Sequence, residues 1–204
     1  MTIARARMLG AVCDLLEKLC GVNAKEWFEA LKRFLHKVRP WPMTQKTVWI
    51  GIFPTVDALH SALLNAGCRI SETADGILRK VIVAIVPRIV NLVVVSVAEL
   101  GFPDGATLKQ IYEAALERGF VLCPAEVGPQ LRIQYLDQPM GEWLFVAMEP
   151  IADSNDYPRI FLVFGEDGDL ELQGTSFTPE YCWGGDRCFV FGRPIKQDCV
   201  SQEK

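Results

Sequence analysis

The sequence predicts an α+β protein: a helical hairpin over residues 1–42, then a mixed αβ body over residues 43–204 that ends in antiparallel strands. Three observations predict it. Apolar residues recur at helical spacing with N-cap residues in front of them through the first 120 positions. After Phe120, proline and glycine punctuate short alternating segments spaced roughly ten residues apart. The 204 residues are 50% apolar and 23% charged, an ordinary globular composition that excludes disordered and low-complexity classes and suffices for a real core.

The elements follow in order. Leu9, Val12, Leu15, Leu16 and Leu19 mark an amphipathic helix over 3–20, stopped by Gly21. Asn23 and Glu26 read as a cap and its box partner for a second helix, whose stripe runs from Trp27 through Leu31 and Phe34 to Val38. Pro40-Trp41-Pro42 ends it. A strand is expected over 47–52. Thr55 caps a helix over 56–66, Ser71 caps another ending near Lys80, and Thr107 with Gln110 boxes a third that Gly119 closes.

The run from Val81 to Ala98 approaches membrane-span length, but Pro87, Arg88 and Asn91 interrupt it. Its β-branched content predicts two extended pieces, 81–86 and 92–97, with a turn between. Strands are expected at 131–136, 143–149, 160–164, 169–173 and 187–191, with EDGD turning a hairpin.

Charge is unevenly distributed. Residues 1–46 hold nine basic and four acidic side chains, and residues 47–204 hold twelve and twenty-one. The seven cysteines are scattered, odd in number and not preceded by a secretory h-region, which predicts reduced thiols and a cytoplasmic setting without a membrane anchor.

The run from Leu100 to Ser154, with LGF, GAT, LCPAEVGP, QYLDQP, GEWL and AMEPI, resembles an uncharacterised family of bacterial proteins found in small-genome candidate lineages. The resemblance extends to Glu26-Trp27 with Phe34-Leu35, to Lys46-Thr47 and to CFVFGRP near the end. It implies a bacterial protein and no particular reaction. This chain departs from the family pattern at Glu72-Thr73, where relatives carry Asp-Trp, and at 81–91, which is more apolar than the usual linker. Such a linker, if exposed, needs a cover, from a partner or from the N-terminal helices.

No motif fixes a chemistry. P-loop and GxGxxG patterns are absent, the spacing of Cys182 and Cys188 is too wide for a zinc knuckle, and neither metal nor cofactor is expected. Asp137, Glu142 and Glu149 are the candidate acid–base carboxylates, if two of them converge within the roughly 5–10 Å that carboxylate pairs use. Arg132, Gln134, Tyr135, Gln138 and Trp143 are the candidate ligand-binding residues, with Arg132 and Gln134 expected on one face of a strand. Cys123 before Pro124 is the best thiol nucleophile, if a helix N-terminus lowers its pKa. Lys25, Lys32, Arg33, Lys37 and Arg39 beside Trp41 offer a nucleic-acid surface over residues 25–41. The leading expectation is a non-enzymatic binding or protein-interaction protein with a protein partner. A carboxylate-dependent hydrolase and a nucleic-acid-associated accessory protein are the alternatives.

Overall fold

The computed structural model describes residues 45–166 and 168–194, together with Cys20, Gly21 and Ala24. The expected helical hairpin and the nucleic-acid surface at 25–41 lie outside the described residues. The chain divides into two compact units, Met1–Pro42 and Met43–Lys204.

The described part of the second unit is dominated by strands, which corrects the α+β expectation. Ten strands, β1 (Gln45–Ile50), β2 (Arg69–Ile70), β3 (Arg88–Ser96), β4 (Ala106–Thr107), β5 (Trp143–Val146), β6 (Ile151–Ala152), β7 (Pro158–Glu166), β8 (Asp169–Ser176), β9 (Cys182–Trp183) and β10 (Cys188–Arg193), accompany four short helices. The helices are α1 (Val56–Asn65), α2 (Glu72–Leu78), α3 (Leu108–Glu117) and α4 (Val127–Gln134). One mixed sheet runs β1-β3-β10-β5-β7-β8-β2, with β6 added on β7, and β4 and β9 form a separate ribbon. The sheet curls into a half-barrel. Its strands therefore come from both halves of the chain and do not follow an αβ body. The last strand, β10, lies in the middle, antiparallel to β3 and parallel to β5. This position explains its composition. Phe189, Val190 and Phe191 are all fully buried, as a central strand covered on both faces requires.

Local chemistry sets the helix starts. The Thr55 hydroxyl accepts from the Ala58 N–H (3.1 Å) and the Ser71 hydroxyl from the Ala74 N–H (3.1 Å). Thr107 and Gln110 close a reciprocal capping box. The EDGD turn joins β7 to β8 with Glu166 opposite Asp169.

Two expected strands are absent. Residues 81–86 adopt no regular structure, and β3 begins only at Arg88. Of residues 131–136, expected as a strand, 131–134 form the end of α4 instead, and Tyr135 and Leu136 lead from it into a turn. Pro129 fits in the first turn of that helix, where its missing N–H leaves no bond unmade. Val127 through Arg132 are all buried, so tertiary enclosure overrides the strand-like alternation. The sheet wraps this helix, which packs on β1 at one margin and on β7 and β8 near the other. A Cβ on Gly128 would sit 2.6 Å from the Phe161 side chain of β7, so the close approach of helix to sheet needs glycine there.

Candidate functional site

The residues singled out between 126 and 153 fall into three groups. The first is a polar row along α4. Glu126 is 1% exposed, yet its carboxylate forms no cap to its own helix. One oxygen accepts from the Gly51 N–H (2.7 Å) and from Gln130 Nε2 (3.0 Å), and the other from the Ala84 N–H (2.8 Å). Gln134, one turn beyond Gln130, accepts from the Trp49 N–H (2.9 Å) and donates to the Trp49 carbonyl (2.8 Å) and to Gln130 Oε1 (3.1 Å). β1 is a sheet margin, and this row occupies backbone groups that a neighbouring strand would otherwise take. Gln134 and Arg132 therefore do not share a strand face. They leave one helix in different directions.

The second group surrounds Arg132, which is fully buried. Its guanidinium donates to Gln138 Oε1, to the Tyr135 carbonyl and to the Phe164 carbonyl (3.1 Å). Gln138 in turn donates to the carbonyls of Glu142 (3.1 Å) and Val163 (3.2 Å). Burial lowers the Arg132 pKa and raises that of the nearby Cys68. These bonds tie the end of α4 to β7 and to the 138–142 turn.

The third group is Lys46, Tyr135, Asp137 and Glu142. Lys46 Nζ stands 3.4 Å from the Tyr135 ring centroid, a cation–π contact. Burial lowers the Lys46 pKa, while the charges of Glu142 and Asp137 oppose that shift. Burial raises the Tyr135 pKa, helped by a hydrogen bond to Glu142 and by both carboxylates. Glu142 Oε2 is buried without a hydrogen-bond partner. Trp143 packs its ring on Phe164, 5.1 Å between centroids. The structure thus brings Arg132, Tyr135, Asp137, Gln138 and Glu142 together, and adds Lys46. Sequence reasoning passed over Lys46, although it shares the inward parity of buried Val48 and Ile50.

Glu149 stands apart. Glu142 precedes β5 and Glu149 follows it, so at about 3.3 Å per residue the two backbones are separated by roughly 20 Å. Glu149 is exposed, and its charge acts on Tyr112. Cys123 is held in a bridge to Met148, and burial pushes its thiol up to about 12, opposite to the shift a nucleophile needs. Cys182 is exposed on β9, which pairs with β4, whereas Cys188 is buried at the start of β10. The aromatic residues there build core, with Trp183 packed edge-on against Phe145 at 4.7 Å and Phe189 at 5.2 Å. Among the described residues no group of three or more metal-ligating side chains converges.

The surface holds a different feature. Ile82, Ile85 and Val86 are 89%, 97% and 70% exposed, and Trp49, Ile52, Ile89 and Val121 are also exposed. These are seven of the thirteen exposed large apolar side chains among the described residues, so the distribution is not scattered. The sheet register places Trp49 opposite Ile89. The loop is fixed against the turn after β1, because a Cβ on Gly51 would meet the carbonyl oxygens of Val86 (2.7 Å) and Ala84 (2.8 Å). A groove of about 620 Å³ opens beside it, lined by Trp49, Pro87, Arg88, Ile89, Val121, Leu122, Pro124 and Arg193 among others. No family model, curated protein or solved structure matches the chain. Among the described residues, no helix is long and apolar enough to cross a membrane.

Proposed function

We propose that the protein is a non-enzymatic binding protein that holds a protein partner on the surface formed by residues 49–52 and 82–89. The observation that carries the reading is the exposure of Ile82, Ile85 and Val86, near-complete for the two isoleucines, on a loop whose backbone is anchored by Glu126 and seated on Gly51. An exposed apolar group of this extent marks an interaction surface. The polar segment 126–153, in this reading, supports that surface. Glu126 fixes the loop at Ala84, and Gln134 fixes the strand at Trp49. A bacterial cytoplasmic setting accompanies the reading, supported by the family resemblance and by the scattered cysteines. The hydrolase alternative loses Glu149, which stands apart from Glu142, and rests on Asp137 and Glu142 beside Lys46 and Tyr135.

The test is site-specific photocrosslinking in the native host, with a benzophenone amino acid at position 85 and, as a control, at Leu64, which is 55% exposed on α1. A discrete protein adduct from position 85 that is missing from position 64 is expected. No adduct, or the same adducts from both positions, would overturn the reading.

A further inference from the structure

The groove beside the exposed loop has a charge as well as a shape. Arg88 and Arg193 line it, both are exposed, and no acidic residue is among the described residues of its lining. Neither arginine makes an ion pair with any described residue. A second groove, of about 580 Å³, shares Arg193 and adds Arg118 and Glu99. One oxygen of Glu99 accepts from the Ser96 N–H (2.7 Å) and hydroxyl (2.8 Å), and the carboxylate keeps its negative charge in that second groove. Arg118 donates to the Leu100 carbonyl (2.9 Å), which pins its position and leaves its charge without a carboxylate partner. The first groove is therefore a cationic trough, with Arg88 and Arg193 and no carboxylate in its described lining, on a body in which residues 47–204 hold twenty-one acidic side chains against twelve basic. A cationic trough on an acidic body selects an anionic occupant.

The walls narrow the occupant further. Trp49, Ile89, Val121 and Pro124 are large and apolar, and a phosphate backbone would gain little from them. The basic residues below the apolar loop are partly used within the fold. Arg79 pairs with Asp75 (3.0 Å), and Lys80, held by the Ala152 carbonyl (2.7 Å), keeps its charge but is a single cation there, a small footprint for an anionic lipid surface. A second copy of this chain would bring the same arginines, like charge against like.

Resting on the proposed function, we infer that the trough accepts a segment of a partner protein in which aspartate or glutamate residues flank apolar side chains. The carboxylates meet Arg88 and Arg193, and the apolar side chains fill the space between Trp49 and Val121. Charge sets which partner is accepted, and the apolar contact holds it.

A phage-displayed library of random twelve-residue peptides, panned on the immobilised full-length protein, tests this. Enriched peptides are expected to carry at least two acidic residues beside Ile, Leu, Phe or Trp. The synthetic form of the best peptide should bind at least tenfold more weakly to the Arg88→Glu/Arg193→Glu protein, and within threefold of wild type to the Arg88→Lys/Arg193→Lys protein. It should lose binding with Trp49→Ala. Both arginines are exposed and have no ion-pair partner among the described residues, and an unchanged urea midpoint confirms that each variant is folded. Enrichment without acidic residues, or indifference to charge reversal while Trp49 still matters, overturns the acidic partner and leaves the interaction surface standing. No enrichment, with no crosslink from position 85, overturns both. Tighter binding to a single-stranded oligonucleotide or to phosphatidylserine vesicles, lost on charge reversal, replaces the protein partner with that class.

Discussion

Replacing Glu126 with alanine removes the acceptor for three donors at once. The Gly51 N–H at 2.7 Å and the Ala84 N–H at 2.8 Å are backbone groups that cannot turn away, whereas the Gln130 amide at 3.0 Å can reorient. Leaving a buried donor without a partner costs about 1–3 kcal/mol. Two such donors set the range at about 2–6 kcal/mol, and water entering beside the loop brings the expected loss for Glu126→Ala to about 2–4 kcal/mol. Glu126→Gln keeps one acceptor oxygen and turns an NH2 group toward a donor, so about half that loss is expected. Urea unfolding of the full chain measures both values, and amide hydrogen exchange at Gly51 and Ala84 reports the local effect. A loss under about 1 kcal/mol for Glu126→Ala, with both amides still protected, would refute the anchoring role. Success carries a functional consequence, because the same bond to Ala84 holds the loop that presents Ile85 and Val86.

Three further outcomes are expected. Gly128→Ala drives a methyl to 2.6 Å from Phe161 Cδ2 and to 2.7 Å from its Cβ and Cγ, so the contact is with the root of the side chain and should cost about 1–3 kcal/mol in urea unfolding; an unchanged midpoint would deny the contact. Cys182 is exposed and should be alkylated by iodoacetamide at pH 8 in the folded protein, whereas Cys123, with its pKa pushed up to about 12, should react only after denaturation; peptide mass mapping reads the order. Asp153 receives Arg159 Nε at 2.6 Å and the N–H groups of Asn155 and Tyr157, and these contacts lower its pKa. Its contribution is therefore complete above the unfolded value of about 3.9 and is lost as pH falls through the lower folded value, so Asp153→Asn should flatten the acid limb of the stability profile. An unchanged limb would remove Asp153 from the acid transition.

The parts of the fold legible in the sequence are those decided within a few residues. Thr55, Ser71 and Thr107 act on N–H groups three positions ahead, and EDGD turns β7 back onto β8, so composition and spacing sufficed. The order of strands was not legible, because β10 enters beside β3 from nearly a hundred residues away. The helix at 127–134 was misread for a related reason. Leu131, Ile133 and Tyr135 alternate as a strand would, and only enclosure by β1, β7 and β8 makes the helical alternative pay. The candidate site was half legible. Arg132, Tyr135, Asp137, Gln138 and Glu142 stood out as a dense polar stretch and do converge. Lys46, which completes that group, comes from a distant segment and is marked only by sharing the parity of Val48 and Ile50, while Gly51 and Ala84, the partners of Glu126, carry no local mark.

The exposed loop is where sequence and structure differ most usefully. A run of Val81 to Val86 with no acidic residue reads as an extended piece that needs a cover if exposed, and in the fold Val81 alone of its apolar side chains is buried. A segment that merely linked α2 to β3 would gain solubility from polar side chains at 82, 85 and 86. Here the backbone of the loop is instead fixed at two points, by the Glu126 carboxylate at Ala84 and by the close seat of its carbonyls over Gly51, while its isoleucines face water. Fixing the backbone spends the ordering entropy during folding. A partner that covers Ile82, Ile85 and Val86 then meets a surface already arranged, and less of the apolar gain is cancelled on binding. An unanchored greasy loop would offer the same side chains with the ordering cost still owed, and would be an aggregation hazard first and a binding surface second. The anchoring by Glu126, more than the exposure alone, is what favours recognition of a partner.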